Sequence, residues 1–191
     1  MRIVGVVLAI LIACSVQSNA FELRPGGTLD SRVIALIEPP VPAPDTVIVL
    51  EDGRTSLPEF SGSVALVTLW ATWCHVCHHE MPVLEALGHE YEGRGLVIVP
   101  VSVDQAPAME KVVTYLTSHD IRLPAMLDRN FALAGKVGLR GTPTTIVVDK
   151  FSQVVAAFEG QAPWDDAETR AWLDALIAAE TPEASRNLLG G

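Results

Sequence analysis

The sequence predicts an α/β domain, and three observations carry the prediction. A continuous apolar run over residues 64–70 reads as a buried strand, and the chain after it repeats with helical spacing at Met81, Leu84, Leu87 and Tyr91. A second apolar run, residues 96–103, is followed by Met109, Val112, Val113 and Leu116 at i, i+3, i+4 and i+7, a one-faced helix. A further apolar run at residues 146–148 completes an alternation of strand and helix, the order expected of right-handed parallel crossovers. At 191 residues the chain has room for one sizeable core and is short for two.

Taken in order, residues 1–20 hold a single charge, Arg2, then an apolar stretch over residues 3–13 and a small-residue end at Ser18-Asn19-Ala20. That layout is expected of a secretory signal peptide cut after Ala20, and the apolar stretch is short for a membrane span of about 20 residues. Leu11-Ile12-Ala13-Cys14 also resembles the lipobox of bacterial lipoproteins, in which Cys14 would become a lipidated N-terminus. Export in soluble form and a lipid anchor are thus both open. Residues 21–44 end in Pro39-Pro40-Val41-Pro42-Ala43-Pro44, and prolines at that density lack backbone donors and favour an extended spacer. We read a tether there, with the apolar patch at residues 33–37 as a short strand or helix against the domain.

The domain itself is expected over residues 45–180. Residues 46–50 and 55–57, joined by Glu51-Asp52-Gly53-Arg54, read as a β-hairpin with Asp-Gly at its turn. Residues 121–140 add a short apolar segment ending at Leu127 and a helix over residues 130–137. Residues 153–158 are expected to pair back as an antiparallel edge strand after the turn at residues 149–152. A closing helix over residues 164–179 carries Asp165, Asp166 and Glu168 in its first turns, where they suit the dipole. Residues 181–191 are expected to form a flexible tail.

Composition sets outer bounds. With 49% hydrophobic and 19% charged residues the chain is globular and not disordered. The formal charge of −10, or −11 once Arg2 leaves with the leader, argues against nucleic acid and anionic lipid surfaces as partners.

The chemistry concentrates in Trp73-Cys74-His75-Val76-Cys77-His78-His79-Glu80-Met81-Pro82, where a strand turns into a helix. Cys74 would lie at the helix N-terminus, where unpaired N–H groups and the positive end of the dipole favour an anion. A thiolate is such an anion, and it is the nucleophile of disulfide exchange. Cys77 lies one turn further in, within disulfide reach, and can attack a mixed disulfide from inside the protein. Cys74 therefore attacks and Cys77 resolves. Of the three cysteines only these two survive leader cleavage, so the pair is a redox site and not part of a structural framework.

Trp-Cys-x-x-Cys after a strand, with Pro82 eight residues past the first cysteine, resembles a thioredoxin-fold active site. Gly141-Thr142-Pro143-Thr144-Thr145 resembles the cis-proline loop that faces that site. The order of elements is most similar to the TlpA and ResA type of exported thioredoxin, over residues 47–179. The resemblance implies a thioredoxin-like fold with an N-terminal β-hairpin and a central αβ insertion. It implies a cis Pro143, a loop at Thr142-Pro143 that offers backbone groups to an extended substrate and keeps metal from the thiols, and Trp73 as part of the site wall. Thr68 stands where minimal thioredoxins carry a buried aspartate and cannot titrate. Glu80 matches the glutamate of the ResA-like pattern Cys-x-x-Cys-x-x-Glu-x-Pro and is either a proton acceptor for Cys77 or a surface acid. His75, between the cysteines, either stabilises the Cys74 thiolate and makes the disulfide more oxidising or is a solvated loop residue. Val76 stands where many relatives have a proline that goes with a more reducing site.

The implied activity is that of an exported, periplasmic thiol-disulfide oxidoreductase without a diffusible cofactor. It would draw electrons from a membrane thiol donor and reduce protein disulfides, as in cytochrome c or copper-site assembly. A disulfide-forming oxidase is the runner-up. Two other readings attach to the same residues. Cys-His-Val-Cys-His is a haem-attachment sequence with His78 as iron ligand, but the preceding strand, Trp73, Pro82 and Thr142-Pro143 have no place in that reading. Cys74 and Cys77 with His75, His78 or His79 would also suit Cu(I) or Zn(II) in a copper-binding carrier; the expectation is that no metal is held.

Overall fold

The computed structural model describes residues 34–106 and 108–188. The leader and lipobox readings, Cys14 included, lie outside them. Strand β1 (Ile34–Pro42) precedes a hairpin of β2 (Ile48–Leu50) and β3 (Gly53–Thr55), whose two-residue turn is Glu51-Asp52. The core then runs β4 (Val64–Trp70), α1 (His75–Glu90), β5 (Leu96–Ser102), α2 (Ala108–Ser118) and β6 (Met126–Leu127). It closes with α3 (Ala132–Val137), β7 (Thr144–Val148), β8 (Gln153–Glu159), α4 (Ala167–Ala178) and α5 (Pro182–Asn187).

The strands form one sheet in the order β1-β8-β7-β4-β5-β6-β2-β3. β4 lies at its centre, parallel to β5 and antiparallel to β7, and all seven of its residues are buried. Burial on both faces explains why it reads as a continuous apolar run and not as an alternation. The parallel β4-β5-β6 crossovers carry α1 and α2, as the periodicity predicts. α1 turns Cys77, Glu80, Met81, Leu84 and Leu87 into the core.

The structure departs from the sequence reading at both ends. The Pro-rich stretch read as a tether is, from Ile34 to Pro42, an edge strand antiparallel to β8. Its prolines are tolerated because the register breaks between Leu36 and Val41, so Pro39 and Pro40 stand outside the ladder, and an edge strand leaves one side without need of donors. β8, read as the edge, is therefore an inner strand. Part of the supposed tail is α5: Thr181 accepts the Ala184 N–H at 3.1 Å, Pro182 fills the first turn, and buried Ser185 donates to Asp149 Oδ2 at 2.7 Å. Thr-Pro-Glu is a helix start by its capping chemistry, and the shortness of the helix hid it. The closing helix α4 begins at Ala167, so Trp164 belongs to the loop before it.

Candidate active site

β4 ends by feeding residues 71–73 into α1, and the polar groups of Thr72 fix that passage. Asp104, just past β5, accepts the Thr72 N–H at 2.8 Å and the Thr72 hydroxyl at 2.7 Å. Ser102 donates to the same carboxylate at 2.7 Å, and His78 Nε2 donates to the Thr72 carbonyl at 2.9 Å. The loop that delivers the first cysteine is thus held from the end of β5 and from the first turn of α1.

Cys74 is the N-cap of α1, and its sulfur accepts the Cys77 N–H at 3.2 Å. Capping by sulfur places it where the helix N-terminus stabilises negative charge, the condition that activates a thiolate. Cys74 and Cys77 are joined in a disulfide with Cα atoms 5.3 Å apart. Cys74 is 6% exposed and Cys77 not at all, so of the two only Cys74 meets solvent.

The Thr142–Pro143 peptide bond is cis, as the resemblance implies, and the Thr142 carbonyl lies 3.5 Å from Cys74 Sγ. That loop is braced by Thr144 Oγ1 donating to the Gly141 carbonyl and by Gly160 N–H donating to the Pro143 carbonyl, both at 2.8 Å. Trp73, 70% exposed, and Val76, 45% exposed, stand as apolar side chains beside the cysteines in sequence. Trp70 is by contrast wholly buried, tilted against Tyr115 with ring centres 5.2 Å apart.

Glu80 is not a surface acid. It is 1% exposed, and its Oε1 accepts the indole N–H of Trp164 at 2.8 Å and the Ala162 N–H at 3.3 Å. Oε2 is buried with no hydrogen-bond partner among the described residues. Loss of solvent pushes the carboxyl pKa above its ordinary value, and the two hydrogen bonds, which favour the anion, offset part of that rise. Three positions along α1 from Cys77, Glu80 lies on the same buried helix face, where Cβ atoms at i and i+3 are about 5–6 Å apart. Thr68 pairs with Thr145 on β7 through their buried hydroxyls at 2.8 Å.

The histidines separate as helical geometry requires. His75 and His79 are exposed, whereas His78 folds back onto Thr72 and packs on Tyr115 at 4.9 Å between ring centres. Among the described residues no three His, Cys, Asp or Glu side chains form a set able to hold a metal ion. None of the helices described is long and apolar enough to cross a membrane.

The Redoxin family pattern matches residues 40–176. The chain belongs to the Redoxin family. This Redoxin family member is 25% identical to the thiol-disulfide oxidoreductase ResA of Bacillus cereus over 182 residues, covering 95% of this chain and 98% of that one. It resembles a thiol:disulfide interchange protein of Chlorobium tepidum at 26% identity and TM-score 0.59, covering 73% of this chain and 94% of that one. A secreted thiol-disulfide isomerase of Corynebacterium glutamicum shares the fold at 20% identity and TM-score 0.67, with 80% and 96% of the two chains covered. The chain is accordingly a TlpA/ResA-like thiol-disulfide oxidoreductase with a thioredoxin-like fold, acting on protein thiols and disulfides.

Two parts of this site escaped the sequence. Trp164 and Ala162 hold Glu80 from across the fold, 84 and 82 residues away, and no local pattern ties them to it. Asp104 had a signal, since a polar residue just beyond the carboxyl end of a buried parallel strand stands where α/β folds build their sites.

Proposed function

We propose that the protein is an exported, periplasmic reductase of protein disulfides, loaded by a membrane thiol donor and serving thiols such as those of apocytochrome c or a copper-site protein. The observation that carries this reading is the buried Cys77–Glu80 pair behind a nearly buried Cys74 at a helix N-terminus. In the reduced protein the Cys74 thiolate attacks one sulfur of the partner disulfide, and the other leaves as a thiolate. Cys77 then gives up its proton, attacks Cys74 Sγ and releases the second partner thiolate. Two electrons have passed to the partner and the Cys74–Cys77 disulfide remains.

Glu80 is the acceptor for the Cys77 proton: in a site closed to water that proton needs a buried base, and a carboxyl with a raised pKa exchanges protons with a thiol more readily than an ordinary one. Thr142 and Pro143 position the partner chain beside Cys74, and Trp73 and His75 border its path. Export is supported by the leader-like residues 1–20 and by the secreted relative of Corynebacterium glutamicum. No diffusible cofactor enters the exchange.

The test uses an oxidised Cys-x-x-Cys-His peptide as partner. Reduced protein should convert it to the dithiol, and Cys77→Ser should accumulate a mixed disulfide through Cys74, whereas Cys74→Ser should trap nothing. A mixed disulfide formed through Cys77, or no reduction of the peptide, would overturn the proposal.

A further inference from the structure

The exchange mechanism gives His79 no part and sets His75 only at the border of the partner's path. His75 and His79 lie four positions apart on the first turns of α1, so both rings project from one helix face. Both are exposed, and their ring centres are 5.2 Å apart at an interplanar angle of 85°. Two imidazoles bound to one tetrahedral ion at about 2.0–2.1 Å place their ring centres about 5 Å apart, close to the 5.2 Å found here.

The other three of the chain's five histidines are committed elsewhere. His78 Nε2 is on the Thr72 carbonyl, His89 Nε2 on Glu85 Oε1 at 3.2 Å, and His119 Nδ1 on the Tyr115 carbonyl at 2.8 Å. His78 and His119 also pack against the Tyr115 ring at 4.9 and 4.1 Å. Neither the His75 nor the His79 side chain has a hydrogen-bonded partner among the described residues, and their ring contacts are with neighbouring imidazoles.

We infer that His75 and His79 form a two-imidazole site for a borderline divalent transition-metal ion, Zn²⁺ or Cu²⁺. Histidines at i and i+4 on a helix are a proven pair of zinc ligands, and imidazole suits both ions. The chain's net charge of −10 draws cations towards it. With no third His, Cys, Asp or Glu among the described residues completing a set, the remaining positions on the ion are open to water or to a ligand from outside. The site is separate from the thiols, being formed while Cys74 and Cys77 are tied in their disulfide. It holds whichever way electrons flow through that pair.

The test is calorimetric titration of Zn²⁺ into untagged full-length protein in the disulfide form, with Cys14→Ser to remove the remaining thiol. One ion should bind, with affinity reduced at least tenfold by His75→Gln or by His79→Gln and unchanged by His119→Gln. Cu²⁺ added to the same protein without histidine substitutions should broaden the imidazole NMR signals of His75 and His79 before those of His89 and His119. Absence of saturable binding, binding undiminished in His79→Gln, or first broadening at another histidine would overturn the inference.

Discussion

Replacing Trp164 by Phe removes the indole donor that holds Glu80 Oε1 at 2.8 Å and leaves the longer Ala162 contact at 3.3 Å. Where Glu80 is ionised, the lost bond served a carboxylate and costs about 1.5–3 kcal/mol; where it is neutral, the loss is about 0.5–1.5 kcal/mol. The volume lost beside Phe158, whose ring centre is 4.8 Å from that of Trp164, costs the same in both states and cancels from the difference. Urea unfolding at acid and alkaline pH should therefore show Trp164→Phe to be more destabilising on the alkaline side by about 1–1.5 kcal/mol. In a Glu80→Gln background that pH dependence should vanish. In the exchange assay the same substitution should move the Glu80-linked limb of the pH–rate profile upward, because the anion has lost its best partner. A cost that is equal at every pH, or a pH dependence that persists without the Glu80 carboxylate, would refute the reasoning.

Glu80 also has a linkage signature of its own. Burial holds its folded-state pKa above the unfolded value, so its contribution to stability is full below the unfolded pKa and is lost as pH rises through the folded one. Wild type should thus lose stability relative to Glu80→Gln across that window, as read by urea midpoints. Asp104→Asn replaces a carboxylate that accepts from Thr72 N, Thr72 Oγ1 and Ser102 Oγ, and should cost about 1.5–3 kcal/mol in urea unfolding while slowing exchange at Cys74. Ser185→Ala should cost about 1.5–3 kcal/mol in the same assay by stripping a donor from the buried Asp149 carboxylate, an effect that a frayed tail could not have.

The sequence announced the parts of the fold whose physics is local. The seven-residue run of β4, buried on both faces, and the one-faced spacing of α2 follow from periodicity alone. Cys74 could be placed at the start of α1 because it falls where strand gives way to helix, and the cap it forms there is a property of neighbouring residues. What depended on partners distant in the chain stayed hidden. The edge strand β1 has a Pro-rich composition that reads as spacer, and only its pairing with β8 makes it a strand. Glu80 looked the same as a surface acid until Trp164 and Ala162 came to it from the other side of the core. The Asp104 clamp on Thr72 likewise joins segments 32 residues apart.

The direction of electron flow is tested most directly by the reduction potential of the Cys74–Cys77 couple, measured by equilibrating metal-free protein with glutathione or dithiothreitol buffers. A reductase should show a reversible two-electron couple near or below thioredoxin's value of about −270 mV. A value near about −120 mV would make the protein a disulfide donor and contradict the proposed direction, and the lack of any reversible couple would contradict exchange itself.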